Sequence, residues 1–250
     1  MGRLKNKAAI ITGGAGDIGF ATAKQFVKEG AKVLLVDINE EALKKCSAEI
    51  GENSNYMVAD VSNEDQVNSY TKKAVELFGK IDIAILNAGI TGPYKPMIEY
   101  KAKEFDQLMA VNLRGVWLGL KAAVCEMMDT GGGSITLTSS TNGHQGAPCY
   151  GPYAASKHAI VGLMRSAAIE YAEYGIRVNT VHPGFVDTQM TRSFKELKQK
   201  IENIIPLKQY VDPKDVANLF LFLSSDDSKL ITGSCHTIDG GLTSGLLLPF

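Results

Sequence analysis

Two residues set the chemical question. Tyr153 and Lys157 stand four apart in Tyr-Ala-Ala-Ser-Lys, at the start of a long helical pattern that Pro152 opens well. That spacing puts a phenol and an ammonium on one helix face. A free tyrosine titrates near pH 10 and is a poor base at neutral pH. A neighbouring cation stabilises the phenolate, which could then take a proton from an alcohol while hydride leaves the adjoining carbon. Taken alone, such a pair reads first as a snorkelling surface lysine beside an amphipathic tyrosine. Its neighbourhood decides. The apolar run Ser134–Thr138 ends in Ser139-Ser140, thirteen residues before Tyr153, and strand ends are where α/β sheets place their sites.

A second group lies near the start of the chain. The first apolar run enters Thr12-Gly-Gly-Ala-Gly-Asp-Ile-Gly19, and a helical pattern follows. A glycine turn between strand and helix lets backbone N–H groups and the helix N-terminus meet a pyrophosphate, although such turns also serve packing. About 20 residues on, Lys32-Val-Leu-Leu-Val36 ends at Asp37. A carboxylate there can accept both hydroxyls of an adenosine ribose and would repel a 2′-phosphate. Neither Val36 nor Ile38 supplies a cation for that phosphate, so NAD is expected over NADP. The alternative for Asp37 is an N-cap on the next helix.

The elements that must position these groups alternate along the whole chain. Strands are expected at Ala8–Thr12, Lys32–Val36, Tyr56–Ala59, Ile81–Leu86, Ser134–Thr138, Arg177–Val181 and Cys235–Ile238. Helices are expected over about 18–29, 40–49, 64–78, 101–128, 151–173, 193–203 and 213–224. Near-continuous apolar strands suit a parallel sheet covered on both faces. Repeated strand–helix–strand units with short links imply right-handed crossovers and one doubly wound α/β Rossmann domain over residues 1–250, with seven strands.

At this point the chain resembles the short-chain dehydrogenase/reductase family. The likeness runs from about residue 6 to 241, through ordered motifs: Thr12–Gly19, Asp60-Val61, Asn87-Ala88-Gly89, Asn112, Ser140, Tyr153-x-x-x-Lys157 and Pro183-Gly184 with Thr188. The resemblance implies that Ser140 hydrogen-bonds the substrate oxygen, Tyr153 is the acid/base, and Lys157 holds the ribose and lowers the tyrosine pKa. It implies that Asn112 anchors a water linking Lys157 to solvent. Gly13, Gly16, Asp17, Ile18 and Gly19 would meet the pyrophosphate, Asp37 and Ile38 the adenosine ribose, and Asp60 and Val61 the adenine. Asn87, Ala88 and Gly89 would lie beside the ribose. Pro183 and Gly184, with Thr188 and the backbone near Val186, would hold the carboxamide. Plainer readings stay open: Asn112 satisfying backbone at a helix kink, Thr188 a cap, Asn87–Gly89 only a turn, Ser140 a polar strand end. One position departs from the family pattern. Asp17 stands where the middle glycine is usual, and it is expected to cap the helix with its carboxylate turned from the phosphates.

The expected substrate contacts are Ser140, Gln145, Tyr150, Tyr153, Phe185 and Met190, beneath a lid over 189–206. They are mostly neutral, with Thr141 and Pro148 nearby, which favours a neutral, modest-sized secondary alcohol or ketone. The lid cations Arg192, Lys195 and Lys198 read first as a solvated helix face. A 3-oxoacyl-carrier-protein reductase shares these motifs but would want NADPH, which Asp37 opposes; a non-catalytic NAD-sensing regulator is opposed by the intact Ser140, Tyr153, Lys157 and Asn112.

Composition bounds the rest. Lysine plus arginine number 26 against 27 aspartate plus glutamate, a net charge of −1, which argues against a nucleic-acid binder. The 45% hydrophobic content fits a sizeable soluble core. Cys46, Cys125, Cys149 and Cys235 show no Cys-x-x-Cys, and the four histidines show no metal-ligand spacing, so no metal is expected. The longest stretch without Asp, Glu, Lys or Arg, Thr130 to Ser156, is too polar for a membrane span. The opening residues lack a signal-peptide pattern, and a reduced cytoplasm is the expected compartment. The apolar C-terminus, Leu242 to Phe250, is expected to be buried in a homotetramer.

Overall fold

The computed structural model describes residues 2–245, with the side chains of 193–195 excepted. The expected tetramer contact of residues 246–250 therefore lies outside the described residues. Seven parallel strands form one sheet: β1 (Ala8–Thr12), β2 (Lys32–Asp37), β3 (Ser54–Val58), β4 (Ile83–Leu86), β5 (Gly133–Thr138), β6 (Ile176–Pro183) and β7 (Cys235–Ile238), in the order β3-β2-β1-β4-β5-β6-β7. This is the doubly wound sheet expected from the alternation.

Alternate side chains divide between two cores, as a period of two requires. Ile10, Leu34, Ala84, Leu86, Ile135 and Leu137 face α3 (Glu64–Phe78), α5 (Gly115–Thr130) and α6 (Gly151–Glu170). Ala9, Ile11, Val33, Leu35, Ile83 and Ile85 face α1 (Asp17–Lys28), α2 (Glu40–Ile50) and α8 (Pro213–Ser224). Every residue of β1 and β4 is buried, which explains why these strands read as unbroken apolar runs.

The winding reverses between β1 and β4, and their carboxyl ends open a crevice of the kind in which α/β proteins bind ligands. Thr12, the last residue of β1, stitches that crevice: its hydroxyl oxygen accepts the N–H groups of Asn87 at 3.0 Å and Ala88 at 3.2 Å, just beyond β4.

The helix expected over 101–128 is interrupted. α4 (Ala102–Met109) passes into α5 through one widened π turn, Ala110–Arg114, and Asn112 sits in it, fully buried. Its side chain clamps one residue of the β4 loop from both sides. Ile90 N–H donates to Asn112 Oδ1 at 2.8 Å, and Asn112 Nδ2 donates to the Ile90 carbonyl at 2.8 Å and to Ser156 Oγ at 3.3 Å. The stretch Ala102–Thr130 is long and apolar enough to cross a membrane. Here half of its most apolar window is buried, with Val116, Leu118, Ala123, Val124 and Met127 in the core.

The helix expected over 193–203 starts earlier and differently, as a 3-10 segment Gln189–Leu197 followed by α7 (Lys198–Ile204). Asn112→Leu keeps the branched shape of the side chain but leaves both Ile90 backbone groups without their partner. It should cost about 2–4 kcal/mol of stability, read as a lower urea midpoint with an unchanged slope.

Candidate active site

The glycine turn is shaped by contacts that exclude side chains. Gly13 has φ +64, and a Cβ there would lie 3.0 Å from the Ala88 Cα. A Cβ on Gly19 would lie 2.2 Å from the Gly13 carbonyl oxygen, so α1 can seat on the turn only with glycine at that point. Gly16 is different. It is the exposed N-cap of α1, makes no side-chain cap, and a Cβ there would meet nothing nearer than the Gly13 oxygen at 3.4 Å. The first-turn N–H groups of a twelve-residue helix thus face an open cradle, which fits the diphosphate of a dinucleotide.

Asp17 is not the expected cap. Gly16 takes the extended cap conformation (φ −77, ψ 161), Asp17 is the first helical residue, and its carboxylate crosses to accept the Gln189 N–H at 2.6 Å. The cap reading failed because backbone geometry at Gly16 placed the helix start one residue earlier. Asp17 instead fastens the start of the 189–197 segment to the glycine turn.

Asp37 ends β2, and its side chain is held in place by two backbone donors, Ala15 N–H at 3.2 Å and Asn39 N–H at 3.1 Å. The N-cap of α2 is Asn39, whose Oδ1 accepts from Ala42 N–H, so the capping alternative for Asp37 falls away. Each Asp37 oxygen keeps acceptor capacity. Ile38 beside it is 72% exposed. Asp60 bonds Ser62 through both its N–H (2.8 Å) and its hydroxyl (2.7 Å), while Val61 is buried where α5 brings Gly115 against it.

The chemical groups gather where β5 meets α6. Lys157 is buried, and its Nζ donates to the Thr138 carbonyl at 2.8 Å and sits 5.5 Å from the centre of the Tyr153 ring. Burial holds the Lys157 ammonium down at about 8. The Ser140 hydroxyl oxygen accepts the Asn142 N–H at 3.2 Å and lies near enough to the Tyr153 phenol to favour the phenolate, but burial outweighs that and pushes the phenol up to about 12. The downward shift expected from Lys157 is therefore not what this arrangement produces. Without a further positive charge the phenol stays protonated at neutral pH.

Asn112 reaches the same place through Ser156, whose hydroxyl donates to the Tyr153 carbonyl at 2.7 Å. Gly89 borders it too: a Cβ there would lie 3.3 Å from Asn112 Oδ1 and 3.5 Å from Lys157 Nζ. Pro183 ends β6 and Gly184 follows it, where a Cβ would press on Asp239 at 2.8 Å. Thr188 is buried, and its N–H donates to Thr191 Oγ1 at 3.1 Å; Val186 pairs with Val211.

Around the phenol stands an aromatic series. Tyr153 meets Tyr150 edge-on at 5.9 Å, and Tyr150 meets Tyr94 at 5.2 Å. Phe185 packs against Tyr210 at 5.8 Å. Gln145 and Met190 are exposed, and Lys198 pairs with Asp187 at 2.8 Å.

Comparison with known proteins agrees with this geometry. The family described as enoyl-(acyl carrier protein) reductase matches residues 13–243. Levodione reductase of Leifsonia aquatica is 39% identical over 96% of this chain and 95% of its own length. A crystal structure of levodione reductase superposes with a TM-score of 0.94 at 36% identity, covering 97% of this chain and all of that one. A short-chain type dehydrogenase/reductase from Mycobacterium marinum superposes at 0.93 with 34% identity, covering 97% of each chain. The chain belongs to the short-chain dehydrogenase/reductase family. It is an oxidoreductase, and its dinucleotide is of the NAD(P) type.

Two features of this short-chain dehydrogenase/reductase lie beyond what sequence reasoning found. Tyr94 sits in the loop after β4, with no local pattern to mark it. His144, His182 and Cys235, far apart in sequence, bring ligand atoms within 4.8 Å of one another. Both His182 nitrogens already hold protein partners, so a metal there would have to displace them. The Asp17 contact has a direct check. Asp17→Gly should speed amide hydrogen exchange over 189–197 and leave NADH affinity unchanged or improved.

Proposed function

We propose that this enzyme interconverts a neutral secondary alcohol and its ketone with NAD(H). The observation that carries the reading is the half-buried Tyr153 phenol, flanked by the Ser140 hydroxyl and the Lys157 ammonium. When bound, the nicotinamide carries the hydride. Ser140 orients the substrate oxygen, and Tyr153, protonated at neutral pH, is ready to give its proton to the oxygen of a ketone. In the opposite direction the phenol must first lose that proton, which a positive charge nearby favours. A bound nicotinamide cation would supply that charge, while Lys157, with Asn87 to Gly89, holds the cofactor ribose. Asn112 keeps Ile90 and, through Ser156, the start of α6 in register.

The cofactor preference rests on Asp37. Its carboxylate has lone pairs free for ribose hydroxyls and repels a 2′-phosphate. The neutral aromatic surroundings, and relatives named for levodione and secoisolariciresinol, support a ring-bearing, uncharged substrate. A 3-oxoacyl-[acyl-carrier-protein] reductase of Thermotoga maritima is 38% identical over 96% of this chain, so an acyl thioester belongs in the same assay.

Initial rates with NAD(H) and NADP(H), over cyclic ketones, alcohols and an acetoacetyl thioester, test all three parts. NAD(H) should be favoured at least about tenfold in kcat/KM, and Asp37→Ala should erode that by about 1.4 kcal/mol or more. Equal kcat/KM for the two cofactors would overturn the preference. Tyr153→Phe should nearly abolish turnover while NADH still binds. In the native enzyme, alcohol oxidation should speed up as pH rises from neutral, because it needs the phenolate, while ketone reduction slows.

The assembly we read as a homotetramer. Phe105 of α4, Trp117 of α5 and Ile169 of α6 are 41%, 44% and 82% exposed. Met109, Ala110, Leu113, Trp117 and Leu163 line a shared apolar groove. Helices that expose this much apolar surface on one side of the sheet are suited to packing against a second copy. Light scattering should give about four times the 26.9 kDa chain mass, and Trp117→Glu should lower it.

A further inference from the structure

His182 lies at the end of β6, fully buried, and no part of the mechanism above uses it. Its surroundings fix its chemistry. Nδ1 lies 2.9 Å from the Ser140 carbonyl oxygen, and Nε2 lies 2.8 Å from Thr180 Oγ1. A carbonyl can only accept, so Nδ1 carries the hydrogen; Nε2 is then bare and accepts from the Thr180 hydroxyl. Burial holds the imidazole down at about 4 against the opposing Ser140 carbonyl, with the nearby His144, Lys157 and His236 adding to the downward shift, so the ring is neutral across the physiological range. The His144 ring stacks on it at 3.9 Å.

What His182 holds is the backbone of the residue whose hydroxyl meets Tyr153. The Ser140 carbonyl accepts a second bond, from Gly143 N–H at 2.8 Å. Two donors on one oxygen fix the Ser140–Thr141 peptide plane, and with it the direction in which the Ser140 side chain leaves its Cα. The packing leaves no slack. A Cβ on Gly143 would lie 2.2 Å from Ser139 Oγ and 3.2 Å from the His182 ring. Ser139 Oγ in turn donates to the Lys157 carbonyl at 2.9 Å, tying the same turn to α6.

We propose that His182 is a positioning residue for the reaction: its Nδ1–H, by holding the Ser140 carbonyl, aims the Ser140 hydroxyl at Tyr153 and the substrate oxygen. This rests on the reading of Ser140 as the group that orients that oxygen.

Four proteins test it: His182→Ala, His182→Asn, Ser140→Ala and the Ser140→Ala/His182→Ala double variant. Each is assayed for ketone reduction at saturating NADH, with NADH affinity measured separately by fluorescence. His182→Ala should lower kcat about tenfold or more, with NADH affinity within about twofold of native. His182→Asn places an amide N–H where Nδ1–H stood and should recover most of the rate. The double variant should be no slower than Ser140→Ala, because a residue acting only through Ser140 has nothing left to act on. Additive losses, or no recovery with asparagine, overturn the proposal. If Ser140→Ala has no effect, the catalytic reading falls and this inference with it; if Ser140→Ala is slow and His182→Ala is not, only the positioning role falls. Crystal structures of the native, His182→Asn and His182→Ala proteins give a readout that needs no substrate. The Ser140 hydroxyl should stay on Tyr153 in the first two and leave it in the third; an unmoved Ser140 in His182→Ala overturns the proposal.

Discussion

A buried ammonium needs an acceptor, and in this protein Lys157 finds it in the Thr138 carbonyl at 2.8 Å. That bond is the constraint from which the site's arrangement follows. Thr138 is the last residue of β5, and Lys157 lies one turn beyond Tyr153 in α6, so strand end and helix cannot drift apart without leaving a charge unpaired in the interior. The Ser139 hydroxyl bond to the Lys157 carbonyl repeats the tie one residue on. Tyr153 is thereby held against Ser140 in surroundings dry enough to raise its own pKa and lower that of the lysine. The two shifts have one cause. Burial disfavours the charged form of each, and a positive charge brought next to the phenol opposes the shift on the tyrosine.

The sheet supplies the other half of the site by close approach of backbone. At the β1–β4 reversal, Thr12 accepts two amides from the β4 loop, and Gly13 lies against Ala88. Asn112, inserted from the π turn, fixes the next residues of the same loop through Ile90. Gly89 is thus pinned between the two clamps, close to Asn112 Oδ1 and Lys157 Nζ. Little here is a flexible surface loop; most of it is main chain held by side chains from other elements.

Which features were legible in the sequence follows from their range. The strands and most helices were, because periodicity and caps are local: α2 and α3 begin at Asn39 and Asn63 caps, and α3 and α5 end at left-handed Gly79 and Gly131. The Tyr153–Lys157 pair was legible for the same reason, being one turn of helix. Asp17 was misread because its partner is 172 residues away, and a short polar residue before a helix looks like a cap whichever way it turns. His182 was passed over because it sits between Val181 and Pro183 in what reads as an ordinary strand end. Its meaning lies in the Ser140 carbonyl, 42 residues distant. The π turn showed only as the open reading of Asn112 satisfying backbone at a helix kink, since the apolar pattern of 101–128 continues through it.

The Asp17–Gln189 contact has a consequence for how two ligands share the molecule. One end of the segment beside the substrate residues is moored to the first turn of α1, where the cofactor cradle opens. Anything negative entering that cradle acts on the same carboxylate that holds the mooring. A ligand charge that loosened the mooring would couple the two compartments, and thermodynamic linkage would make the effect mutual and equal in size.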